Sequence, residues 1–343
     1  MRWLTEERRK KFEALFAKAR PWLPWFSLVL GVAGGVMMDR RPENAWMIAT
    51  AAVGMWLLLG AFVFMGSLDA DQLEGKKAVF AKVVSFSAVM GSQSLIQLCL
   101  FFALPFYWGA LSFHFGHLFF FDLLLVACAL TLWDPLYEFV FRSRLASAAL
   151  LAFATFAAVN CILPVMGLSN RVSLYGAAIA TSALIPALLR LYGLRFENLA
   201  YRLAFNAAAI ALFPLFIAFG GAAFVPPAPL ELADAAMGTQ IADRWVADPT
   251  DELADIPAQL VCATAIAAPR GLKDELFHVW WKDGHVVDRV ALDVRGGREA
   301  GFRTWSIKKR LTKAPRGEWR CAVETASGQT LGRTNLEILG STE

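Results

Sequence analysis

The sequence predicts an all-α polytopic membrane bundle of about seven transmembrane helices, followed by a small all-β antiparallel sandwich domain. The first observation behind this prediction is composition. Hydrophobic residues make up 57% of the 343 positions, above the roughly 45–50% typical of soluble domains. Most of the excess lies before residue 226. The second observation is a series of short strand-like segments, separated by turn sequences, after residue 257.

Residues 1–20 are predicted to form a basic amphipathic helix on the cytoplasmic face of the membrane. They contain seven Lys and Arg residues, which anionic lipid headgroups attract. The apolar side chains that can share one helical face are Trp3, Leu4, Phe12, Leu15 and Phe16. A helix with such a face can lie in the membrane interface, although the pattern also fits a solvated helix with a few apolar residues.

Residues 21–225 are predicted to form the transmembrane domain. Its apolar stretches are roughly 21–38, 45–66, 83–105, 114–133, 145–167, 173–191 and 204–225. Most have the ~20 residues that a helix needs to cross ~30 Å of hydrocarbon. Tryptophans near the ends of these stretches, such as Trp46 and Trp133, are typical of interfacial anchors.

The distribution of positive charge predicts the orientation of the spans. With the N-terminus inside, the cytoplasmic segments hold fifteen Lys and Arg residues, and the outer loops hold three, namely Arg40, Arg41 and Arg171. Cytoplasmic loops carry such an excess in membrane proteins. We therefore expect a cytoplasmic N-terminus. After an odd number of spans, the C-terminal domain, called the head below, lies outside the cytoplasm.

Residues 226–257 are predicted to form an acidic, proline-rich linker. Pro226, Pro227 and Pro229 end the last apolar stretch and stiffen the exit from it. Seven acidic residues follow, against Arg244 as the one basic residue. Such a segment either stays flexible or lies against the head, in which basic residues outnumber acidic ones.

Residues 258–343 are predicted to form the head as a β-sandwich. Its six expected strands are Gln259–Ala267, Glu275–Trp281, Val286–Val294, Phe302–Lys308, Glu318–Thr325 and Thr330–Leu339. Turn sequences such as Lys-Asp-Gly at 282–284 and Ser-Gly at 327–328 separate them. Because side chains alternate between the two faces of a strand, Trp319, Cys321 and Val323 are expected to face the core.

Four sequence motifs in the head occur in a recognisable order: HVWWKDG at 278–284, FRTWSIKK at 302–309, GEWRCAVE at 317–324 and SGQTLG at 327–332. Together they resemble the bacterial domain of unknown function 2914 family over roughly residues 258–340. The resemblance implies a head carried behind a multi-span membrane segment, and it implies no activity. Together with the expected topology, it implies a protein of the bacterial inner membrane whose head lies in the periplasm. Two positions depart from the family pattern, since Ile307 stands where a second Ser is common and Cys321 where Val is usual.

The strand at 275–281 carries large side chains on both of its faces, so one face must meet something besides the sandwich core. A ligand-binding surface built from His278, Trp280, Arg303 and Ser306 would use a stacking ring together with charge-assisted hydrogen bonds. The alternative is that the linker covers the tryptophan and that His278 bonds to the backbone. The residues leave both interpretations open.

Cys262 and Cys321 are the two cysteines of the head, and an extracytoplasmic compartment is oxidising. Each lies within a predicted strand and in phase with core residues, so the two can form a disulfide. They can equally be buried free thiols on strands that never meet.

Polar residues within the apolar stretches are candidates for an intramembrane site. Lys82, Gln93 and Gln97 fall along one face of the third stretch, where they favour either a polar pathway or hydrogen bonds between helices. His114, His117 and Asp122 lie in the fourth stretch, but Asp122 is turned by about 140° from His117 at 100° per residue. We therefore expect no convergent metal or haem site from these three.

No enzyme signature is found: the sequence lacks GxSxG, HExxH, a Walker loop and a dinucleotide fingerprint. The cysteines lack zinc-finger spacing, so neither a metal nor another cofactor is expected. A net charge of +4 is too small to indicate a nucleic-acid partner. The expected partners are the lipid bilayer and a cell-envelope polysaccharide or protein bound by the head. The alternative function is a membrane transporter or membrane-embedded enzyme in which the head is an accessory domain.

Overall fold

A computed structural model describes the chain from residue 95 to residue 339, except for residues 113, 192–196, 229, 269–273, 298–299 and 312. It also describes the isolated positions 22, 25, 28, 29, 50 and 93. The predicted helix at 1–20 and the spans at 21–38 and 45–66 lie outside the described residues, apart from those isolated positions. The same is true of the first part of the third span.

The continuously described part of the N-terminal region consists of helices joined by short loops. Its helices are α1 (Leu95–Gly109), α2 (Phe115–Leu132), α3 (Asp134–Arg142), α4 (Arg144–Val165), α5 (Asn170–Leu191) and α6 (Leu199–Ala218). Three segments of the described residues are long and apolar enough to cross a membrane: Phe115–Leu132, Leu145–Val165 and Leu199–Ala218. Each of the three overlaps a stretch predicted as a span.

Local signals set the helix ends. The Ser143 hydroxyl accepts a hydrogen bond from the Ala146 amide at the start of α4, and the Asn198 side chain caps α6 in the same way. These contacts satisfy amide groups that have no partner within the helix. The last span lies earlier in the chain than the predicted stretch 204–225, because α6 begins at Leu199 and ends at Ala218, and Gly220 follows in the left-handed region. Residues Gly221–Phe224 then form a 3₁₀ turn instead of continuing the helix.

The C-terminal region is a β-sheet domain. Its main strands are β1 (Glu231–Gly238), β5 (Leu260–Ala267), β6 (Leu276–Lys282), β7 (His285–Leu292), β8 (Phe302–Lys308), β9 (Gly317–Thr325) and β10 (Thr330–Ile338). The short strands are β2 (Ile241–Ala242), β3 (Trp245–Val246) and β4 (Glu252–Leu253). One sheet has the order β1-β5-β8 and another the order β4-β10-β9-β6-β7, while β2 and β3 form a hairpin. The six predicted strands are confirmed to within two residues at each end.

The segment 226–257 lies against the head, as one of the two interpretations predicted, but it is not a linker, because it contains β1 to β4. Strand β1 pairs antiparallel with β5, with Met237 opposite Cys262. Strand β4 runs parallel to the end of β10. The sheet domain therefore begins at Glu231 rather than at residue 258. The sequence analysis missed β1 because its acidic residues suggested a solvated linker. In the structure only Ala233 and Asp234 of this strand are exposed, and its other residues are partly or fully buried.

The two larger sheets share an apolar core. Met237, Leu260 and Cys262 of the first sheet pack with Trp280, Trp319 and Leu336 of the second. The β2–β3 hairpin covers the opposite face of the first sheet, where Val246 contacts Val261 and Ala263. Asp243 and Arg244 both have positive φ at its turn, as a two-residue hairpin turn matching the strand twist requires.

The head contacts one end of the helices. Gly116 at the start of α2 lies so close to the 3₁₀ turn that a Cβ there would be 2.8 Å from the Ala223 carbonyl oxygen. The Asn170 side chain at the start of α5 donates a hydrogen bond to Gln329 of the head. The starts of α2 and α5 and the exit from α6 are thus at the same end of the helical region.

Candidate functional site

A buried polar cluster lies between the two larger sheets. His278 on β6 contacts the Thr264 hydroxyl through Nε2 at 2.9 Å and the Ser306 hydroxyl through Nδ1 at 2.8 Å. The Trp280 indole donates to the same Ser306 oxygen at 3.0 Å. A neutral histidine with its proton on Nε2 satisfies all of these groups, because Ser306 can donate to Nδ1 while it accepts from Trp280.

The surroundings keep His278 uncharged. Its side chain is fully buried, and this burial lowers its pKa from 6.5 to about 3. No carboxylate is among the hydrogen-bond partners that the structure gives this ring. The cluster therefore suits a structural role, in which His278 links the two sheets through Thr264 and Ser306.

A disulfide joins Cys262 of β5 to Cys321 of β9 beside this cluster, with the Cα atoms 6.5 Å apart. The ligand atoms of Cys262, Cys321 and His278 all lie within 4.8 Å of one another. While the sulfur atoms are bonded to each other, they are not available as thiolate ligands. These three residues could hold a metal only in the reduced protein.

The predicted ligand surface is corrected in two respects. His278, Trp280 and Ser306 do come together, but all three are buried in the core rather than exposed on a surface. Arg303 does not join them, because on β8 it alternates with the inward-facing Thr304 and Ser306. On β6 the face that contacts the other sheet is the one with His278 and Trp280. The opposite face, which carries Phe277 and Trp281, is the outer one.

A second group of residues forms an exposed face on the outside of the first sheet. Arg303, Trp305 and Ile307 are the exposed residues of β8, and Trp305 is 40% exposed. The Arg303 guanidinium lies 5.4 Å from the centre of the Trp245 ring, which the β2–β3 hairpin supplies. We call Trp245, Arg303, Trp305 and Ile307 the Trp–Arg face. A flat strand surface with aromatic rings and a guanidinium can stack on a planar ligand and donate hydrogen bonds to it.

Sequence reasoning found only Arg303 of this face. The alternation in FRTWSIK does place Trp305 on the same side as Arg303, so that signal was present. Trp245 could not be found, because it lies in the segment that was predicted to be a linker.

The polar residues of the third predicted span bond to the neighbouring helix. Gln93 Nε2 donates to the Thr131 carbonyl oxygen at 3.2 Å, and Gln97 Nε2 donates to the same oxygen. Thr131 lies in the last turn of α2, where carbonyl groups have no partner within the helix. Both glutamines are buried, and they join the helices as one of the two interpretations predicted. Lys82 lies outside the described residues.

The residues of the fourth predicted span do not converge. His114 caps α2 by accepting a hydrogen bond from the Gly116 amide, while His117 is buried and contacts the Ser112 hydroxyl at 2.7 Å. Asp122 is exposed. The fourteen positions between His117 and Thr131 correspond to about 21 Å along a helix, so the glutamines and the histidines form separate polar contacts.

A third polar group lies where the head meets the helices, and we call it the docking contact. Gln329 of the head accepts from the Asn170 side chain at 2.6 Å and donates to the Val225 carbonyl oxygen at 2.9 Å. Asp274 accepts a hydrogen bond from the Asn170 backbone amide at 2.6 Å. Sequence reasoning did not single out any of these residues, because their partners are more than 100 positions away.

Two family models match the chain. The first, described as a family of unknown function (DUF5924), matches residues 3–268, more than three quarters of the sequence. The chain belongs to this family. The second, described as a protein of unknown function (DUF2914), matches residues 273–338 and confirms the resemblance of the head. Comparison with curated protein sequences finds no match.

The boundary between the two family matches lies inside the β-sheet domain. Strands β1 to β5 fall in the DUF5924 region, and β6 to β10 fall in the DUF2914 region. Nevertheless β8 pairs with β5, and the disulfide and the Thr264–His278 hydrogen bond cross between the regions. In this chain the DUF2914 region therefore shares one folded domain with the end of the DUF5924 region.

Proposed function

We propose that this chain is a seven-span protein of the bacterial inner membrane that presents a periplasmic β-sandwich head as a binding module. In this proposal the N-terminus is cytoplasmic, and the two larger sheets of the head are the layers of the sandwich. The ligand is a cell-envelope polysaccharide. The observation that carries the binding function is the Trp–Arg face.

Two lines of reasoning support the topology. The fifteen-to-three distribution of basic residues favours a cytoplasmic N-terminus. In addition, the segments near Ser112 and Arg171 and the exit at Val225 were all predicted to lie on the outer side. Gly116, Asn170 and Val225 all contact the head or the turn that leads into it, which supports the predicted alternation of the last four spans.

The chemistry of the Trp–Arg face supports a polysaccharide ligand. The apolar faces of sugar rings pack against indole rings, and sugar hydroxyls accept hydrogen bonds from guanidinium groups. Trp305 and Arg303 offer both on one strand face. Lys309 and Arg310 follow directly after β8 and are exposed, so the face favours an anionic polymer.

The transporter or enzyme alternative depends on polar residues that converge in the membrane. Among the described residues, Gln97 and His117 are buried against protein partners, and Asp122 is exposed. Gln97 contacts Thr131 at the end of α2, whereas His117 lies at its start, and this separation favours helix packing over a shared pathway. The proposal therefore places the function in the head.

The topology is tested with alkaline phosphatase fusions, which are active only outside the cytoplasm. A fusion after Glu343 is expected to be active, and one after Lys77 inactive. The opposite pattern would place the head in the cytoplasm and overturn the localisation.

Binding is tested by co-sedimentation of the full-length protein, in detergent micelles, with isolated peptidoglycan sacculi. The Trp305→Ala variant is expected to bind about tenfold more weakly, because an aromatic ring contact contributes about 0.5–1.5 kcal/mol beyond the area that it buries. Val286→Ala is the matched control, since Val286 is 54% exposed on β7 in the other sheet. Failure of the wild-type protein to sediment with the sacculi, or equal loss of binding in both variants, would refute this ligand.

A further inference from the structure

The docking contact includes a carboxyl group that caps a helix from a different region of the chain. Asp274 lies just before β6, and its carboxylate accepts hydrogen bonds from the backbone amides of Asn170 and Arg171 at the start of α5. These are two of the amides that have no partner within a helix. The head thus completes the N-terminus of α5, and separating the two would expose both amides and the carboxyl group.

Two buried oxygen atoms at this contact have no hydrogen-bond partner among the residues that the structure describes: Asp274 Oδ2 and Asn170 Oδ1. Asn170 is fully buried, so its oxygen cannot bond to bulk water. Both atoms are acceptors when Asp274 is ionised, and two acceptors cannot satisfy each other. If Asp274 is protonated on Oδ2, that oxygen becomes a donor, and Asn170 Oδ1 is an unpaired buried acceptor at the same contact.

The electrostatic surroundings favour the protonated form. Burial raises the pKa of Asp274 from 3.8 to about 6, against the lowering effect of the Asn170 and Arg171 amides. The described charged side chains around the contact are those of Arg171 and Glu275, both exposed, and that of Arg289, whose guanidinium donates to the Thr325 carbonyl oxygen in the turn before Gln329. The facing side chains of Ser327 and Gln329 are neutral. No ion pair with Asp274 therefore opposes protonation in the described part of the chain.

We propose that docking of the head on the helices takes up a proton at Asp274, whose Oδ2 then donates a hydrogen bond to Asn170 Oδ1. The head is then held most tightly in acid and more loosely as the pH on its side of the membrane rises. This device is independent of the ligand of the Trp–Arg face.

The direction and size of the effect follow from linkage between proton binding and docking. The docked carboxyl binds its proton more tightly than the free one, so docking is strongest below pH 3.8 and weakens as the pH rises through about 6. The full difference of about two pKa units corresponds to roughly a hundredfold change in the docking equilibrium. Between pH 5 and pH 8 the docking equilibrium constant should change about tenfold.

Infrared spectroscopy of the full-length protein in lipid nanodiscs measures the proton directly. The band of a protonated carboxyl is expected to titrate near pH 6 and to be absent from Asp274→Asn. Because burial also raises the pKa of Glu324, the titration is recorded in a Glu324→Gln background. Asp288→Asn is the control, because the Lys308 ammonium lowers the pKa of that carboxyl, and it should leave the band unchanged. A midpoint at or below pH 4, or a band that persists when Asp274→Asn is added, would overturn the proposal.

Electron spin resonance between labels at the exposed positions Met166 and Arg310 measures docking itself. The measurement uses a Gln329→Ala background, in which two docking hydrogen bonds are lost and the undocked population rises. We expect the ratio of docked to undocked protein to fall about tenfold from pH 5 to pH 8. With Asp274→Asn added, whose amide is a permanent donor, the ratio should be independent of pH. Equal ratios at both pH values without that change, or the same pH dependence with it, would refute the coupling.

Discussion

The disulfide between Cys262 and Cys321 should contribute a large share of the stability of the head. The bond closes a loop of 59 residues, and restricting a loop of that length in the unfolded chain contributes about 4 kcal/mol in the chain-entropy model. Domains have total stabilities of roughly 5–15 kcal/mol. Because a change of 1 kcal/mol shifts the melting temperature of a domain near 100 residues by about 4–8 °C, the double variant Cys262→Ala/Cys321→Ala should melt at least 15 °C lower.

Counting reactive thiols tests whether the disulfide is present, and thermal melting measures its contribution to stability. After denaturation without reductant, the chain should take up three maleimide groups, at Cys99, Cys128 and Cys161. After reduction it should take up five. Melting of the head is then followed by tryptophan fluorescence with and without reductant. Cys128→Ala is the control, because this free cysteine lies in α2 and its loss leaves the disulfide intact.

Five reactive thiols in the denatured, unreduced chain would show that the bond is absent. A bond that is present, but whose removal lowers the melting temperature by less than about 5 °C, would refute the loop-closure reasoning. The unfolded state would then already hold the two strands together.

Two further predictions concern residues at the sheet interface and the helix junction. His278→Ala should lower the free energy of unfolding by about 3 kcal/mol at pH 7, because Thr264 and Ser306 lose a buried partner. Since the pKa of His278 falls to about 3 on folding, the wild type loses stability as the pH drops below 6.5. Its advantage over the variant, measured by urea unfolding, should therefore shrink by about 2 kcal/mol from pH 7 to pH 5; a constant advantage would contradict a buried neutral ring. Gly116→Ala should lower the melting temperature through a loss of about 2 kcal/mol, because its Cβ would meet backbone atoms of Ala223 and Phe224. Gly109→Ala, whose Cβ would meet only the end of the Glu231 side chain at 3.3 Å, should be tolerated, and equal effects would refute the close contact.

The regular strands of the head could be predicted because their signals are local. Lys-Asp-Gly at 282–284 fixes a hairpin whose turn residues Asp283 and Gly284 have positive φ. Alternation along β9 correctly placed Trp319, Cys321 and Val323 in the core. In contrast, β1 carries alanines and acidic residues, and its strand conformation depends on pairing with β5.

The candidate site could be predicted only in part, because β6 has large side chains on both faces. The sequence alone indicated that one face of β6 contacts something other than the core. Which face this is depends on the neighbouring strands, since Trp280 lies opposite Cys321 in the register with β9. That register turns His278 and Trp280 inward, where Thr264 and Ser306 supply the hydrogen bonds.

The sequence by itself determined a helical region with apolar segments, a β-sheet domain after it, and the family resemblance of that domain. These properties follow from composition and short-range periodicity, which need no knowledge of distant contacts. The tertiary structure alone decided that β1 to β4 belong to the head, that Cys262 meets Cys321, and that Asn170 meets Gln329 and Asp274. The physical reason is that each of these depends on residues far apart in the chain, and local preferences do not specify which distant surfaces pack together.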